Sequence, residues 1–243
     1  MEGVQWKDKV ALVTGASRGI GRAIAELFAR QGLRLVLVAR SREALIAFCS
    51  EHALSKEKAL VCAGDLSDPG FPENVVKQTV EHFSQLDVVV NNAGIAIPGS
   101  LEETTLEQWD LQMAVNVRAP FLICKAALPY LRCSEVPTIV NIASVVAYKG
   151  YINQGAYTAS KHALLGFSKV LAREVHKDGI RVHVVSPGGV ATEMVASMRP
   201  DLDPSILVPP QEIAEIVWFL ISKRGNAVID ELSVRRFSKE PWI

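Results

Sequence analysis

The stretch Val10-Ala11-Leu12-Val13-Thr14-Gly15-Ala16-Ser17-Arg18-Gly19-Ile20-Gly21 decides how this chain folds. Its first four residues form a short apolar run, which is typical of a buried strand, and the run stops at a turn rich in glycine. Glycines let the chain turn tightly and let backbone N–H groups approach a phosphate, which the N-terminus of a helix also favours. A helical period then places apolar side chains on one face, at Ile20, Ile24, Leu27 and Phe28. The stretch therefore predicts a strand, an anion-binding turn and a helix.

The same alternation of strand and helix continues along the chain. Further apolar runs occur at residues 35–38, 59–62, 87–90, 138–142 and 182–185. Because these runs are continuous and do not alternate with polar residues, both faces of the sheet must be covered. Helical patterns lie between them, at about 41–52 after the N-cap candidate Ser41, about 106–131 with a bend at Pro120, and about 157–176. The predicted fold class is α/β: one domain over residues 1–243 with a doubly wound (Rossmann) parallel sheet and helices on both faces.

Polar residues and glycines gather where the predicted strands end. The clusters are Gly64-Asp65, Asn91-Asn92-Ala93-Gly94, Ser144 and Ser186-Pro187-Gly188. In a doubly wound sheet the ligand lies outside the carboxyl ends of the strands, so these clusters predict one composite site. Residues from about 194 to 210 form an irregular stretch after the last cluster. We interpret it as a substrate lid, with a solvated connection as the alternative.

The composition argues against several classes of function. Lys+Arg and Asp+Glu both number 26, so the formal net charge is zero and nucleic-acid binding is not expected. The cysteines and histidines show no spacing typical of metal ligands, so no metal is expected either. The N-terminus has no apolar signal core and no run is long enough to span a bilayer. We therefore expect a cytoplasmic protein without a membrane partner.

Tyr157 and Lys161 lie four residues apart on a predicted helix, so both side chains emerge on the same face. A phenol with its ordinary pKa of about 10 exchanges its proton inefficiently at neutral pH, and a nearby ammonium lowers that pKa by stabilising the phenolate. Alone, such a pair is more often a solvated pair that arose by chance. Set beside Ser144, Asn116 and the glycine turn, it predicts a catalytic site.

These motifs together resemble those of the short-chain dehydrogenase/reductase family. The turn Thr14-Gly15-x-x-x-Gly19-x-Gly21 has the TGxxxGxG form of that family's cofactor turn. The family's other motifs fall in the same order at Asn91-Asn92-Ala93-Gly94, Asn116, Ser144, Tyr157 with Lys161, and Pro187-Gly188. The resemblance covers about residues 7–234 and implies a nicotinamide-dependent oxidoreductase.

The resemblance also implies a role for each residue of the site. Tyr157 donates a proton, Lys161 lowers the pKa of Tyr157 and holds the cofactor ribose, and Ser144 orients the substrate carbonyl. Asn116 holds a water in a proton relay. The cofactor-binding residues that it implies are Gly15, Ser17, Arg18, Gly19, Ile20, Gly21, Arg40, Asp65, Leu66, Asn91, Ala93, Gly94, Tyr157, Lys161, Pro187, Gly188, Val190 and Thr192.

Charge at the end of the second strand predicts which cofactor is used. A carboxylate there would bind the ribose 2′-OH and repel a 2′-phosphate, but the strand ends Val38-Ala39-Arg40-Ser41-Arg42 without an acid. Arg18 in the glycine turn adds a second cation, and a guanidinium suits phosphate geometry. The pair predicts NADP(H); the alternative is that Arg18 and Arg40 are ordinary surface cations.

The substrate is less defined than the reaction. The segments Asn153-Gln154-Gly155-Ala156-Tyr157 and Leu171-Ala172-Arg173-Glu174-Val175 are similar to the 3-oxoacyl-(acyl-carrier-protein) reductase branch of the family. Arg132 and Arg173 would then meet an acidic carrier protein. Residues 226–236 lack the Gly-Gly ending usual in that branch, so small ketones, sugars, polyols and pterins stay open.

Two further expectations concern assembly and class of function. The helices predicted at 106–131 and 157–176 carry apolar residues on more than one face, and similar proteins pair these helices across a two-fold axis. A homodimer or homotetramer is therefore expected. The alternative outside enzymes is an NADP-binding redox sensor, which would keep the glycine turn and lose the proton donor.

Overall fold

The sheet of this protein is entirely parallel. The computed structural model describes residues 5–199 and 201–241, and within them seven strands pair in the order β3-β2-β1-β4-β5-β6-β7. The strands are Val10–Thr14 (β1), Arg34–Ala39 (β2), Ala59–Ala63 (β3), Val88–Asn91 (β4), Thr138–Ile142 (β5), Arg181–Pro187 (β6) and Glu231–Val234 (β7). The order reverses between β1 and β4, where Leu12 pairs with Val36 on one side and with Val89 on the other. A doubly wound sheet opens its binding crevice at this switch point.

Eight α-helices cover the sheet within the described residues. They are Gly19–Arg30 (α1), Arg42–Glu51 (α2), Gly70–Phe83 (α3), Leu106–Met113 (α4), Ala119–Leu131 (α5), Gly155–Glu174 (α6), Glu193–Met198 (α7) and Pro210–Ser222 (α8). The Ser41 hydroxyl accepts a hydrogen bond from the Ala44 N–H at 3.1 Å, which confirms it as the N-cap of α2. Gly32, with φ +83°, follows the end of α1 as expected.

Each face of the sheet packs on its own hydrophobic core. Along β1 the side chains alternate, so Ala11 and Val13 join a cluster that contains Phe28 of α1 and Ile213 of α8. Val10 and Leu12 join the cluster on the opposite face, which contains buried residues of α3 and α5. Helices therefore cover both faces of the sheet, and the predicted α/β architecture is confirmed.

The long helix predicted at 106–131 is interrupted. Its two halves, α4 and α5, are joined by one π-helical segment, Ala114–Arg118. Pro120 lies in the first turn of α5, two residues after this segment, and lacks the N–H that would continue the helical hydrogen bonds. Irregular backbone thus directly precedes Pro120, and the bend expected at that residue stays a prediction.

The same stretch bears on the prediction that no run could span a bilayer. Among the described residues, Leu106–Leu131 is long and apolar enough by length and composition, with a mean hydropathy of 1.2 over its most apolar window. Half of that window is buried inside the fold. Ala119, Ile123 and Ala127 lie in the core beneath the sheet, so packing accounts for this hydropathy.

Helix α3, strand β7 and the short helix α7 were not predicted from the sequence. Helix α3 lies between β3 and β4 and buries Val75, Val76 and Phe83. Strand β7 adds an edge beside β6, with Val185 opposite Leu232. Its side chains are only partly buried, so it lacks the continuous apolar run of the inner strands.

The carboxyl ends of β1 and β4 meet without space between them. A Cβ on Gly21 would lie well inside van der Waals contact with the Gly15 carbonyl oxygen and the Asn92 side-chain nitrogen. That Asn92 nitrogen donates to the Thr14 carbonyl at 2.8 Å. The first turn of α1 therefore packs directly against the turn that precedes it, and only glycine fits at position 21.

Gly21→Ala should therefore destabilise the fold. The added methyl meets backbone that cannot move without breaking the Asn92 contact, and overpacking of this kind typically costs about 1–3 kcal/mol. The free energy of unfolding, measured by denaturant titration, should fall by an amount in this range.

The matched control is Gly166→Ala, in the exposed interior of α6, where a Cβ would meet nothing within 4 Å. Replacing a helical glycine by alanine stabilises by about 0.5–1 kcal/mol. Equal effects of the two substitutions would contradict the packing described at Gly21.

Candidate active site

A single cavity of about 830 Å³ follows the carboxyl ends of the strands. Of the predicted site residues, those that line it are Gly15, Ser17, Arg18, Gly19, Ile20, Arg40, Asp65, Leu66, Ala93, Gly94, Ser144, Tyr157, Lys161, Pro187, Gly188, Val190 and Thr192. Gly21, Asn91 and Asn116 are predicted site residues that do not line it. Residues from every quarter of the chain thus converge on one space large enough for a dinucleotide and a small substrate.

Thr14 connects the ends of β1 and β4 at the floor of the cavity. It was not among the site residues predicted from the sequence. Its hydroxyl accepts hydrogen bonds from the N–H groups of Asn92, at 3.0 Å, and Ala93, at 2.9 Å. The end of β1 thereby holds the chain that leaves β4. Thr14 stands directly before Gly15 in the predicted turn, and that position was the available signal.

Asn91 does not line the cavity, whereas its neighbour Asn92 does. The Asn91 side-chain nitrogen donates to the Asn141 Oδ1 at 2.8 Å, and the two residues are paired in register between β4 and β5. The side chain is buried behind the cavity wall. Any cofactor contact by Asn91 would therefore involve its backbone, and its predicted role stays a prediction.

Asn116 lies in the π-helical segment and holds the chain after β4. Its Oδ1 accepts from the Ile95 N–H at 2.9 Å, and its Nδ2 donates to the Ile95 carbonyl at 2.8 Å and to the Ser160 hydroxyl at 2.9 Å. A Cβ on Gly94 would lie 3.3 Å from Asn116 Oδ1 and 3.5 Å from Lys161 Nζ. Asn116 therefore stands next to the lysine, although its amide group is already engaged within the protein.

Gln112, one helical turn before Asn116, continues this pattern and was missed from the sequence. The side chain is fully buried, and its Oε1 accepts from the Ile97 N–H at 3.1 Å. The side-chain amides of Asn116 and Gln112 thus hydrogen-bond the backbone of residues 95–97, as a neighbouring strand would. Residues 95–97 line the cavity. The spacing of four residues between Gln112 and Asn116 was the signal that could have found it.

Tyr157 and Ser144 face each other in the cavity wall. Ser144 lies just beyond β5, and its hydroxyl also accepts from the Val146 N–H at 3.3 Å. Burial raises the pKa of Tyr157 to about 12, and the hydrogen bond from Ser144 opposes that rise. The phenol therefore holds its proton firmly and presents it beside a second hydroxyl.

Lys161 is buried on the same face of α6. Its ammonium donates to the Ile142 carbonyl at 2.9 Å and lies 5.8 Å from the centroid of the Tyr157 ring. Burial lowers the pKa of Lys161 to about 8. Burial dominates the pKa of both residues here, so the lowering of the Tyr157 pKa by Lys161 stays a prediction.

The other end of the cavity carries the charged residues. Arg40 lines it at the end of β2, opposite Asp65. The pKa of Asp65 is lowered chiefly by the Ser67 N–H, which donates to its carboxylate at 2.8 Å, and to a smaller degree by the charge of Arg40. Arg18 forms an ion pair with Glu193, a residue that the sequence reasoning did not single out.

The stretch interpreted as a lid has internal structure. It contains most of α7 and a 3₁₀ turn at Pro204–Ile206, while Pro200 lies outside the described residues. The two ends are joined by a parallel bridge between Val190 and Val208. Apolar side chains also line the cavity, including Ile95, Ile97, Leu111, Val115 and Met194.

The residues present fit a nicotinamide dinucleotide. The Gly15 and Gly19 backbones have φ values of +67° and +56°, in a turn that leads into the N-terminus of α1, which suits a pyrophosphate. Guanidinium groups of Arg18 and Arg40 line the cavity, and so do the buried Tyr157 and Lys161 and the partly buried Ser144. Among the described residues, no group of three or more His, Cys, Asp or Glu side chains could hold a metal ion.

Known proteins share both this sequence and this fold. The family model described as short chain dehydrogenase matches residues 9–203. The 3-oxoacyl-[acyl-carrier-protein] reductase FabG of Escherichia coli is 37% identical over 236 residues, covering 94% of this chain and 96% of that protein.

Two solved structures are also similar. A short-chain dehydrogenase from Burkholderia cenocepacia in complex with NADP has a TM-score of 0.86 at 32% identity, covering 96% of this chain and 98% of that one. An alcohol dehydrogenase from Thermococcus sibiricus complexed with 5-hydroxy-NADP has a TM-score of 0.88 at 31% identity, covering 97% and 99%. The chain therefore belongs to the short-chain dehydrogenase/reductase family and is an NAD(P)-dependent oxidoreductase acting on CH–OH or C=O groups.

Proposed function

We propose that this protein uses NADPH to reduce a carbonyl group to a secondary alcohol. The observation that carries the proposal is the convergence of Ser144, Tyr157 and Lys161 on the cavity that also contains the glycine turn. A redox sensor would need the glycine turn alone. The complete set of proton donor, orienting hydroxyl and buried ammonium favours catalysis.

The bound cofactor would supply the hydride, and the residues of the chain would supply the rest. Tyr157 donates the proton at its Oη to the substrate oxygen as that oxygen gains negative charge. Ser144 donates a second hydrogen bond to the same oxygen and fixes the carbonyl in position. Lys161 holds the cofactor ribose, and Asn116, next to it, supports the path by which the tyrosine regains a proton.

The preference for NADP(H) over NAD(H) rests on Arg18 and Arg40. Both line the cavity at its charged end, where a 2′-phosphate would gain charge-assisted hydrogen bonds. The relatives crystallised with NADP support this assignment. Asp65, the nearest acid, already accepts the Ser67 N–H and lies at the end of the third strand, so it does not occupy the position of a 2′-OH ligand.

The substrate proposed is an apolar ketone, with a 3-oxoacyl thioester as the leading candidate. The apolar side chains that line the same cavity as Tyr157 suit an aliphatic chain, and the Escherichia coli relative is named for a 3-oxoacyl substrate. Arg132 donates to Asp178 at 2.7 Å, so docking of a carrier protein would depend on Arg173. A small ketone, polyol or sugar is the second candidate, because residues 226–236 differ from that branch.

The proposed enzyme is a cytoplasmic homodimer or homotetramer. Large apolar side chains lie exposed on the helices that similar proteins pair: Trp109 is 40% exposed on α4, Phe121 44% on α5 and Val170 56% on α6. A partner that covers these side chains would remove them from water. A monomer mass at micromolar concentration would count against this assembly.

Tyr157→Phe should lower kcat by about 10²- to 10⁴-fold, because the ring still fills its buried site while the proton donor is lost. The dissociation constant for NADPH, measured by fluorescence titration, should stay unchanged. Tyr130→Phe removes an exposed hydroxyl from α5 and serves as the control. Near-normal turnover of Tyr157→Phe on a ketone panel that includes acetoacetyl thioesters would rule out the proposed acid.

Arg40→Ala should weaken NADPH binding by about 10- to 100-fold, the value of a hydrogen bond to a charged group, and leave NADH binding unchanged. Arg42→Ala removes an exposed arginine from the start of α2, outside the cavity, and should affect neither cofactor. Paired titrations with NADPH and NADH measure both effects. A wild-type preference for NADH would overturn the cofactor assignment.

NADPH affinity should fall as the pH rises through about 8. Burial sets the pKa of Lys161 near that value, and the ammonium that holds the ribose is present only below it. If only the protonated form of Lys161 binds NADPH, the affinity falls by about tenfold between pH 7 and pH 9.

Two variants serve as controls for this pH dependence. Lys161→Met should bind NADPH weakly at every pH in this range. Tyr157→Phe should keep the wild-type profile, since the phenol with its pKa of about 12 stays protonated throughout. If the NADPH affinity of Lys161→Met fell by the same factor between pH 7 and pH 9, the titrating group would be one other than Lys161.

A further inference from the structure

One ion pair connects the cofactor turn to the lid. Arg18, the residue before α1, contacts the carboxylate of Glu193 through its Nη1. Glu193 is the first residue of α7, and both residues line the cavity. A cation expected to bind the cofactor therefore already has an anionic partner on the opposite wall.

The backbone around this pair is also in close contact. A Cβ on Gly19 would lie 3.1 Å from the Thr192 Cγ2. Thr192 is the N-cap of α7, and its hydroxyl accepts from the Val195 N–H at 3.4 Å. The start of α7 thus lies directly on the glycine turn, which keeps Glu193 within reach of Arg18.

A bound anion can replace Glu193 as the partner of Arg18. The side chains of Arg18 and Glu193 are 64% and 71% exposed, and exposed ion pairs contribute little free energy. Arg22, the other arginine nearby, is held differently: it donates to Glu26 at 2.9 Å, pairs with Glu51 and lies over the Phe48 ring. Arg18 is the more readily exchanged of the two.

We propose that Glu193 is a specificity-determining residue whose carboxylate competes with the 2′-phosphate of NADP(H) for the Arg18 guanidinium. The inference rests on the proposed function, which assigns Arg18 to that phosphate. A phosphate carries more charge than a carboxylate and has three acceptor oxygens, so it displaces Glu193. NAD(H) lacks the phosphate and leaves the pair intact. Glu193 therefore weakens NADPH binding to a measurable extent. In the absence of NADP(H), its ion pair with Arg18 holds the start of α7 against the glycine turn.

Glu193→Gln tests the proposal because it keeps the shape of the side chain and removes its charge. The dissociation constant for NADPH should fall by about 2- to 5-fold, the range expected for release of one exposed ion pair, while that for NADH stays unchanged. In an Arg18→Ala background, Glu193→Gln should have no effect on NADPH, because the shared guanidinium is gone.

Glu81→Gln is the matched control for the change in net charge. Glu81 is exposed on α3, lies 3.8 Å from the Lys77 ammonium and is remote from the cavity, so its substitution should not alter NADPH affinity. Tightening by Glu81→Gln equal to that by Glu193→Gln would assign the effect to net charge and overturn the proposal.

Other outcomes separate this inference from the proposed function. Arg18→Ala that weakens NADPH binding, together with Glu193→Gln that changes nothing, overturns the competition alone. Equal tightening of NADPH and NADH by Glu193→Gln also overturns it, because the effect would not depend on the 2′-phosphate. If Arg18→Ala and Arg40→Ala both leave NADPH affinity unchanged, the assignment to NADP(H) itself fails.

Discussion

The close approach of two strand ends is the constraint on which the remaining structure depends. The glycine turn after β1 and the asparagine turn after β4 are joined by Thr14, whose hydroxyl accepts two backbone N–H groups, and by Asn92, whose amide donates back to β1. Gly21 completes the contact because it has no Cβ. This junction sets the first turn of α1, and α1 in turn fixes where a pyrophosphate would lie. It also directs residues 93–97 past Lys161 and along the cavity wall.

Burial, more than any pairing of charges, sets the proton affinity of Tyr157 and Lys161. Removal from water disfavours the ionised form of each group, so the pKa of Tyr157 rises and that of Lys161 falls. The tyrosine thereby stays protonated at neutral pH, while the pKa of the lysine is lowered to about 8. The phosphates of a bound dinucleotide would add negative charge to the cavity, and ribose hydroxyls would accept hydrogen bonds from Lys161, so both would favour its ammonium form. The site is thus arranged so that the lysine charge depends on what is bound next to it.

Much of this architecture follows from local sequence, and the exceptions have physical reasons. The inner strands were predictable because burial on both faces requires continuous apolar runs, as in β1 and β5. Strand β7 was not, because an edge strand that is half exposed shows neither a continuous run nor a clean alternation. The π-helical segment at Ala114–Arg118 carries Asn116, which bonds to Ile95 across the fold, and such a tertiary contact leaves no periodicity in the sequence. Most motif residues do meet in one cavity, whereas Glu193 could be found only from the folded chain, because its partner Arg18 lies far away in the sequence.

The parallel bridge between Val190 and Val208 has a consequence for how such a protein diverges. It closes the chain between Val190 and Val208 into a loop whose two ends are joined by the hydrogen bonds from the Val208 N–H to the Gly189 carbonyl at 3.0 Å and from the Ala191 N–H to the Val208 carbonyl at 2.9 Å. Lengthening a closed loop is thermodynamically mild, since each doubling of its length costs only about 0.6 kcal/mol in closure entropy. Insertions and substitutions in the interior of this loop, away from Thr192 and Glu193, would change the part of the cavity wall that α7 contributes and leave the glycine turn in place. The bridge thus lets one segment of the wall vary while the segment that contacts the glycine turn keeps its geometry.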